Sequence, residues 1–214
     1  GAVSLKAAWA WLLAQCLIGL AVLFVFPPLA QLVALLALPL VALYPLMKRI
    51  TWWPQAWLGI VFSWGALVGG AAATCLAGAV PFEAFALYAG CICWTIGYDT
   101  IYALQDREDD ALIGVRSTAR LFAGQWRLWT SVFYVAALVL WTTAGAIGGA
   151  GLILAVYLAL IGALLIWTML QRVDDARPET ALASFKRNAL IGLAVLAAFA
   201  VEPAWRTLRP HFGW

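Results

Sequence analysis

The sequence predicts an all-α, polytopic membrane protein with seven transmembrane helices, and three observations carry that prediction. Apolar residues fill 65% of the 214 positions and charged ones only 11%, where an ordinary soluble domain carries about a quarter charged. Seven apolar runs of spanning or near-spanning length follow one another along the chain. Between them lie short breaks of Pro, Gly or charge, and the basic residues collect in alternate breaks. No stretch has the composition of a soluble second unit, so residues 1–214 read as a single transmembrane domain.

The elements follow in order. The first span, 6–26, stops at Phe26-Pro27-Pro28. The second, 29–46, is expected to end or kink at Pro45, because a proline disfavours helical geometry in the residue before it. It delivers Lys48 and Arg49 to the boundary. The third span is 56–76, and the fourth, 82–101, runs straight into an acidic stretch. The fifth and sixth, 128–146 and 149–170, are parted by Gly-rich sequence. A connector of mixed charge, 172–187, reads as solvated and leads to the seventh, 189–205. The basic residues orient this bundle. Lys6, the pair Lys48 and Arg49, the group Arg107, Arg116, Arg120 and Arg127, and the group Arg172, Arg177, Lys186 and Arg187 all fall on one side, leaving Arg206 and Arg209 for the other. By the positive-inside rule the first side is the cytoplasm, or the matrix of an organelle.

The 13 tryptophans concentrate near span ends, at Trp52, Trp53, Trp126, Trp129, Trp205 and Trp214, as interfacial anchors do. Trp64 and Trp94 lie within spans and are expected to pack in the core or against lipid, with lining a cavity as the alternative. Cys16, Cys75, Cys91 and Cys93 read as small buried apolar residues. Cys91-x-Cys93 lacks the spacing of a zinc site. The single histidine, His211, sits in the C-terminal tail, so a histidine-dependent triad is not expected. Nothing in the charge pattern calls for a nucleic acid partner; the expected partner surface is the lipid bilayer.

The most informative stretch is Tyr98-Asp99-Thr100-Ile101-Tyr102-Ala103-Leu104-Gln105-Asp106-Arg107-Glu108-Asp109-Asp110, which holds five of the ten acidic residues. Carboxylates at a membrane boundary need water, cations or metal to satisfy them. On an ideal helix Asp99, Asp106 and Asp110 share an arc of roughly 40°, with Tyr102 beside them. Three carboxylates on one stripe call for a counter-charge, and Mg²⁺ is the natural one, since it shares carboxylates with phosphate-bearing substrates. Lys48 and Arg49 reach the same side and supply the fixed cations of a pyrophosphate clamp. Arg116 and Ser117 are either further phosphate partners or caps of the next segment. A solvated loop is the alternative reading of the acidic stretch.

These residues resemble the UbiA family of intramembrane aromatic prenyltransferases, and within it the 4-hydroxybenzoate polyprenyltransferase branch. Asp99, Tyr102, Ala103, Asp106, Asp110, Gly114, Ser117 and Thr118 match its second aspartate motif and the G-x-x-S-T that follows. Tyr44, Pro45, Lys48, Arg49, Thr51, Pro54 and Gln55 match a Y-P-x-x-K-R-x-T-x-x-P-Q motif between two spans. Phe185, Asn188 and Gly192 are a weaker echo of F-x-x-N-x-x-x-G. Phe122-Ala123-Gly124 departs from the pattern, in which Phe and Gly are adjacent, and is expected to be neutral. The resemblance implies a nine-helix fold of which this chain supplies helices three to nine, without the first two helices and the first aspartate motif; the opening Gly1-Ala2-Val3-Ser4 resembles the end of the stretch following that motif. A chain with one of two metal-binding arms is expected to be inactive alone.

The same resemblance implies the chemistry. The substrates are a polyprenyl diphosphate and 4-hydroxybenzoate, and the pathway is ubiquinone biosynthesis. Mg²⁺ is held by Asp99, Asp106 and Asp110, the diphosphate by Tyr44, Lys48, Arg49, Arg116 and Ser117, with Asp99, Tyr102 and Lys48 catalytic. The setting is a bacterial inner membrane with the site facing the cytoplasm, or else the mitochondrial inner membrane. Other branches, acting on menaquinone, haem or other aromatic precursors, are the nearest alternatives. A transporter with an acidic vestibule is the rival from another class, but no ionisable residue falls near the middle of a span. A CDP-alcohol phosphotransferase would need a D-G-x-x-A-R pattern that the chain lacks.

Overall fold

A computed structural model describes residues 3–74, 78–174 and 177–208, with side chains up to Val201. Gly1, Ala2, Cys75, Asp175, Arg209, His211 and Trp214 lie outside the described residues, as do the side chains of Trp205 and Arg206. Eleven α-helices and one 3₁₀ turn make up the described architecture, and no strand is found among these residues. They are α1 (Leu5–Leu23), α2 (Pro28–Leu35), α3 (Ala37–Ile50), α4 (Pro54–Phe62), α5 (Gly65–Ala73), α6 (Phe82–Tyr102), α7 (Arg107–Leu112), α8 (Thr118–Phe122), α9 (Trp126–Ile147), α10 (Leu152–Arg172) and α11 (Pro178–Leu208). Local chemistry sets their starts. Ser4 caps α1, its Oγ accepting from the Ala7 amide at 3.3 Å. Pro28 and Pro54 open α2 and α4, where a missing N–H costs nothing.

Among the described residues six helical passes are long and apolar enough to cross a bilayer, with α2–α3 and α4–α5 each acting as one pass. The seventh expected span, α6, has the length at 21 residues but is not among them. It carries Glu83, Asp99 and three tyrosines, and it tolerates them because α4, α5, α9 and α11 pack around it. It is the central helix, and α9 is its closest partner. Two glycines on α6 receive two rings from α9. A Cβ at Gly90 would sit 2.5 Å from the Trp141 ring, and one at Gly97 would sit 2.4 Å from the Tyr134 ring. Each step of seven residues up α6 matches a step of seven down α9, which is an antiparallel knob-and-hole register. Tyr134 is 1% exposed, and its hydroxyl is buried beside the Asn188 side chain without a well-formed hydrogen bond.

The structure departs from several expectations. Pro45 does not end its span; it lies inside α3, which continues to Ile50 and carries Lys48 and Arg49 in its last turn. The breaks instead come at Leu36 and at Ser63-Trp64. Side chains satisfy backbone carbonyls near them, as a helix interrupted in lipid requires. The Trp64 indole donates to the Val33 carbonyl at 2.8 Å, and the Tyr88 hydroxyl donates to the Ile60 carbonyl at 2.9 Å. Trp94 likewise packs in the core, so both mid-span tryptophans serve internal contacts. Trp126 is not an interfacial anchor: it is fully buried in the cluster with Ile101, Phe122 and Tyr134. Cys16 is exposed on α1, a helix with no buried residue, while Cys91 and Cys93 are half-buried. Most of the expected connector 172–187 is helical, because Pro178 opens α11 with Glu179 in its first turn. Only residues 173–177 join α10 to α11, with Arg177 Nε donating to Asp174 at 2.8 Å.

The acidic stretch is not one helix either. After Tyr102 the amides of Leu104 and Gln105 bond three residues back, and the Gln105 side chain donates to the Tyr102 carbonyl at 2.9 Å. Those contacts close α6. Helix α7 then begins afresh, with Glu108, Asp109 and Asp110 in its first turn, where the helix dipole favours negative charge.

Candidate active site at the basic end of the bundle

The loops expected on one side do meet. The Arg116 amide donates to the Lys48 carbonyl at 3.1 Å, and the Arg116 guanidinium donates to the Ile50 carbonyl at 2.7 Å. Arg127 donates to the Val173 carbonyl at 2.8 Å, tying in the third basic loop. Beneath these contacts lies a buried polar junction. The Thr118 amide donates to Gln55 Oε1 at 3.0 Å, the Thr100 and Thr118 hydroxyls are 2.6 Å apart, and the Thr100 hydroxyl reaches the Ile96 carbonyl at 2.6 Å. Gln55 is 2% exposed and both threonines are fully buried. Three segments distant in sequence are thus locked together beside Asp99.

This junction fixes the charged groups above it. Asp99 lies on the last turns of α6, half-buried, and the Lys48 ammonium acts electrostatically on it. Tyr44, one turn before Lys48 on α3, lies within the field of the same carboxylate, as does Tyr98. Lys48 also acts on Asp110, so one cation serves two carboxylates brought in by different helices. Burial holds the Asp110 carboxyl above the usual carboxylate range; repulsion from Asp106 and Asp109 adds to this, and Lys48 and Arg120 oppose it. Arg120 is fixed by donating to the Val115 carbonyl and, at 3.3 Å, to the Asp110 carbonyl.

The other sequence candidates fall into two groups. Tyr102 is 38% exposed at the end of α6, its ring against Phe185. Arg49 is exposed in the last turn of α3 and contributes to the charge environment of neither Asp99 nor Asp110. Arg116 and Ser117 are engaged as caps. Arg116 holds the carbonyl end of α3 and, with Arg120, lies over Trp52, while Ser117 is 1% exposed and its Oγ accepts from the Arg120 amide at 3.4 Å. Sequence reasoning gave no role to Gln55 or Thr100. Their signal was a polar side chain in apolar sequence at a loop junction, which demands a partner.

Mg²⁺ can be tested against the donor set. Among the described residues no three His, Cys, Asp or Glu side chains form a ready-made ion cage. Asp106 and Asp110 are nevertheless one turn apart, joined by a 2.7 Å bond from the Asp110 amide to the Asp106 carbonyl. Mg²⁺ takes one or two carboxylates and fills its remaining positions with phosphate oxygens and water. The carboxylates present fit that habit.

An all-helical bundle with several passes long and apolar enough to cross a bilayer, and an acidic helix end on which a lysine acts, defines a multi-pass membrane protein. The profile of the UbiA prenyltransferase family matches residues 1–203, and the chain belongs to that family. It is 41% identical over 203 residues to 4-hydroxybenzoate geranyltransferase 2 of Lithospermum erythrorhizon, covering 94% of this chain and 65% of the relative. It is 44% identical over 159 residues to the mitochondrial 4-hydroxybenzoate polyprenyltransferase of Bos taurus, covering 74% of this chain and 42% of the relative. The chain therefore spans less than two thirds of the length of these relatives. Its fold is similar to the apo structure of a UbiA homolog from Aeropyrum pernix K1, with a TM-score of 0.74, 26% identity, and coverage of 94% of this chain and 74% of that one.

Proposed function

We propose that this chain forms part of a 4-hydroxybenzoate polyprenyltransferase of ubiquinone biosynthesis. The observation that carries the reading is that Lys48 acts electrostatically on both Asp99 and Asp110 at the end of the bundle where three basic loops meet. The names of its relatives support the aromatic acceptor. Asp106 and Asp110, with Asp99, are the residues that would hold Mg²⁺, which when bound supplies charge neutralisation to a departing diphosphate. Lys48 and Arg49 bind the diphosphate oxygens as fixed cations. Tyr44 orients the diphosphate from the preceding turn of α3. Arg116 and Ser117 keep the loop in place. The allylic C–O bond breaks and its electron pair leaves with the diphosphate. A ring carbon ortho to the phenol then supplies the pair for the new C–C bond, and its proton passes to water at the mouth.

The reading places the protein in a bacterial inner membrane with its site facing the cytoplasm; a mitochondrial inner membrane is the second choice, since several relatives carry that word in their names. The test is formation of prenylated 4-hydroxybenzoate in membranes, with Mg²⁺ and geranyl diphosphate. The chain is assayed beside a version joined to an upstream two-helix segment. Asp99→Asn, Asp106→Asn and Asp110→Asn each abolish turnover without loss from the membrane, and EDTA does the same. Full activity in all three variants, or in EDTA, sinks the proposal.

A further inference from the structure

The Phe185, Asn188 and Gly192 echo is left unused by the chemistry above, and the structure gives it a place. These residues recur at i, i+3 and i+7 along α11, so they form one stripe. The stripe meets Trp94, Tyr98 and Tyr102, which recur at i, i+4 and i+8 along α6. The Trp94 indole donates to Asn188 Oδ1 at 3.2 Å, and Asn188 Nδ2 donates to the Ser184 carbonyl at 3.1 Å. Asn188 is 5% exposed. A Cβ at Gly192 would stand 3.0 Å from the Trp94 ring, so the glycine admits the indole to that position. The Phe185 ring lies 5.6 Å from the Tyr98 ring at 60°, and 4.6 Å from the Tyr102 ring at 46°.

Tyr98 lies in the field of the Asp99 carboxylate, and Phe185 joins Tyr98 and Tyr102 in an aromatic group at that end of α6. The rings meet at tilted angles and do not stack face to face. Tyr102 is 38% exposed, so its edge of the group is not buried core. Aromatic faces carry negative potential and attract positive charge strongly where water is scarce.

We propose that Phe185, with Tyr98 and Tyr102, forms an aromatic box around the allylic end of the prenyl diphosphate, and that Asn188 is the positioning residue holding α11 in register against Trp94. This rests on the prenyl transfer proposed above. When the C–O bond breaks and its electron pair leaves on the diphosphate, the positive charge left across the allyl group faces these rings. It persists there until an acceptor carbon or water supplies a new electron pair and gives up a proton.

The experiment uses the form with the upstream two-helix segment and scores ionisation of geranyl diphosphate without acceptor, as release of geraniol and linalool. Phe185→Leu lowers the ionisation rate about tenfold, while KM and the binding of geranyl thiolodiphosphate stay within about twofold; Phe185→Trp restores most of the rate. Asn188→Ala gives a smaller rate loss together with a shifted Trp94 fluorescence, and Asn188→Gln, which keeps the acceptor, recovers part of both. An unchanged rate in Phe185→Leu overturns the box. So does a rate loss matched by lost binding, or one that Phe185→Trp leaves unrepaired. If geranyl diphosphate is ionised but never joined to 4-hydroxybenzoate, the acceptor assigned above is wrong and the box stands. If the unmodified protein ionises nothing, both fall.

Discussion

At the scale of single residues, burial and charge make opposite demands. The Tyr134 hydroxyl is enclosed with no well-formed hydrogen bond, the Asn188 side chain being the polar group it meets, and an unsatisfied buried polar atom costs about 1–3 kcal/mol. Tyr134→Phe is therefore expected to keep the ring in the space left by Gly97 and to raise the thermal midpoint in detergent; a clear loss of stability would show that the hydroxyl has a bonding role. Asp110 has its carboxyl raised chiefly by burial. A raised acid binds its proton more tightly folded than unfolded, so its contribution favours folding below the ordinary aspartate range and is lost as pH rises through the raised value. Measured in EDTA, the stability gap between Asp110→Asn and the unmodified protein should widen in favour of the variant over that window. A gap independent of pH contradicts the sign. Lys48 and Asp99 were legible in the sequence because charges are rare in an apolar chain. That Lys48 and not Arg49 acts on the acids was not legible, since adjacent residues on a helix differ only by a rotation.

At the scale of elements, the bilayer-crossing passes could be read from apolar length, but their interruptions could not. Leu36 breaks α2 from α3 three residues before Pro39, whose ring and missing N–H deny the Leu35 carbonyl its helical bond, a signal masked by the unbroken apolar run around it. The start of α11 was hidden by charge: Pro178 and Glu179 sit in a stretch whose mixed charges mimic a loop. The acidic stretch misled in the other direction, because helical spacing continues through Ala103–Asp106 while the backbone does not. The departure at Phe122-Ala123-Gly124 is also more than neutral. Ala123 has φ +44°, a region where a side chain costs roughly 1–2 kcal/mol. Ala123→Gly should therefore stabilise the turn between α8 and α9 by about 1 kcal/mol, measured as a shift in thermal midpoint. No shift, or a lower midpoint, would show that the methyl is accommodated.

At the scale of the whole molecule, the bundle has two unlike ends. The basic loops interlock around the carboxylates at one. At the other, a largely apolar cavity of about 600 Å³ is lined by Gly69, Gly70, Ala84, Gly145 and Leu154, with Glu83 at its wall. The asymmetry of Lys and Arg predicts the orientation. In a cysteine-free background, Gln105→Cys and Glu179→Cys are expected to react with an impermeant maleimide only from the cytoplasmic side. Val25→Cys, on a residue 84% exposed in the opposite loop, should react only from the other. Labelling of Gln105→Cys from outside refutes the orientation. The packing of α6 on α9 has a further bearing, on how such sequences can drift. The absent side chain at Gly97 is filled by Tyr134, and the one at Gly90 by Trp141. Neither member of a pair can change size alone, so substitutions there must arrive together: a relative with alanine at either glycine position should carry a smaller residue across from it. Two pairs seven residues apart would then leave a correlated trace across an alignment, marking the contact of these helices in lineages for which no coordinates exist.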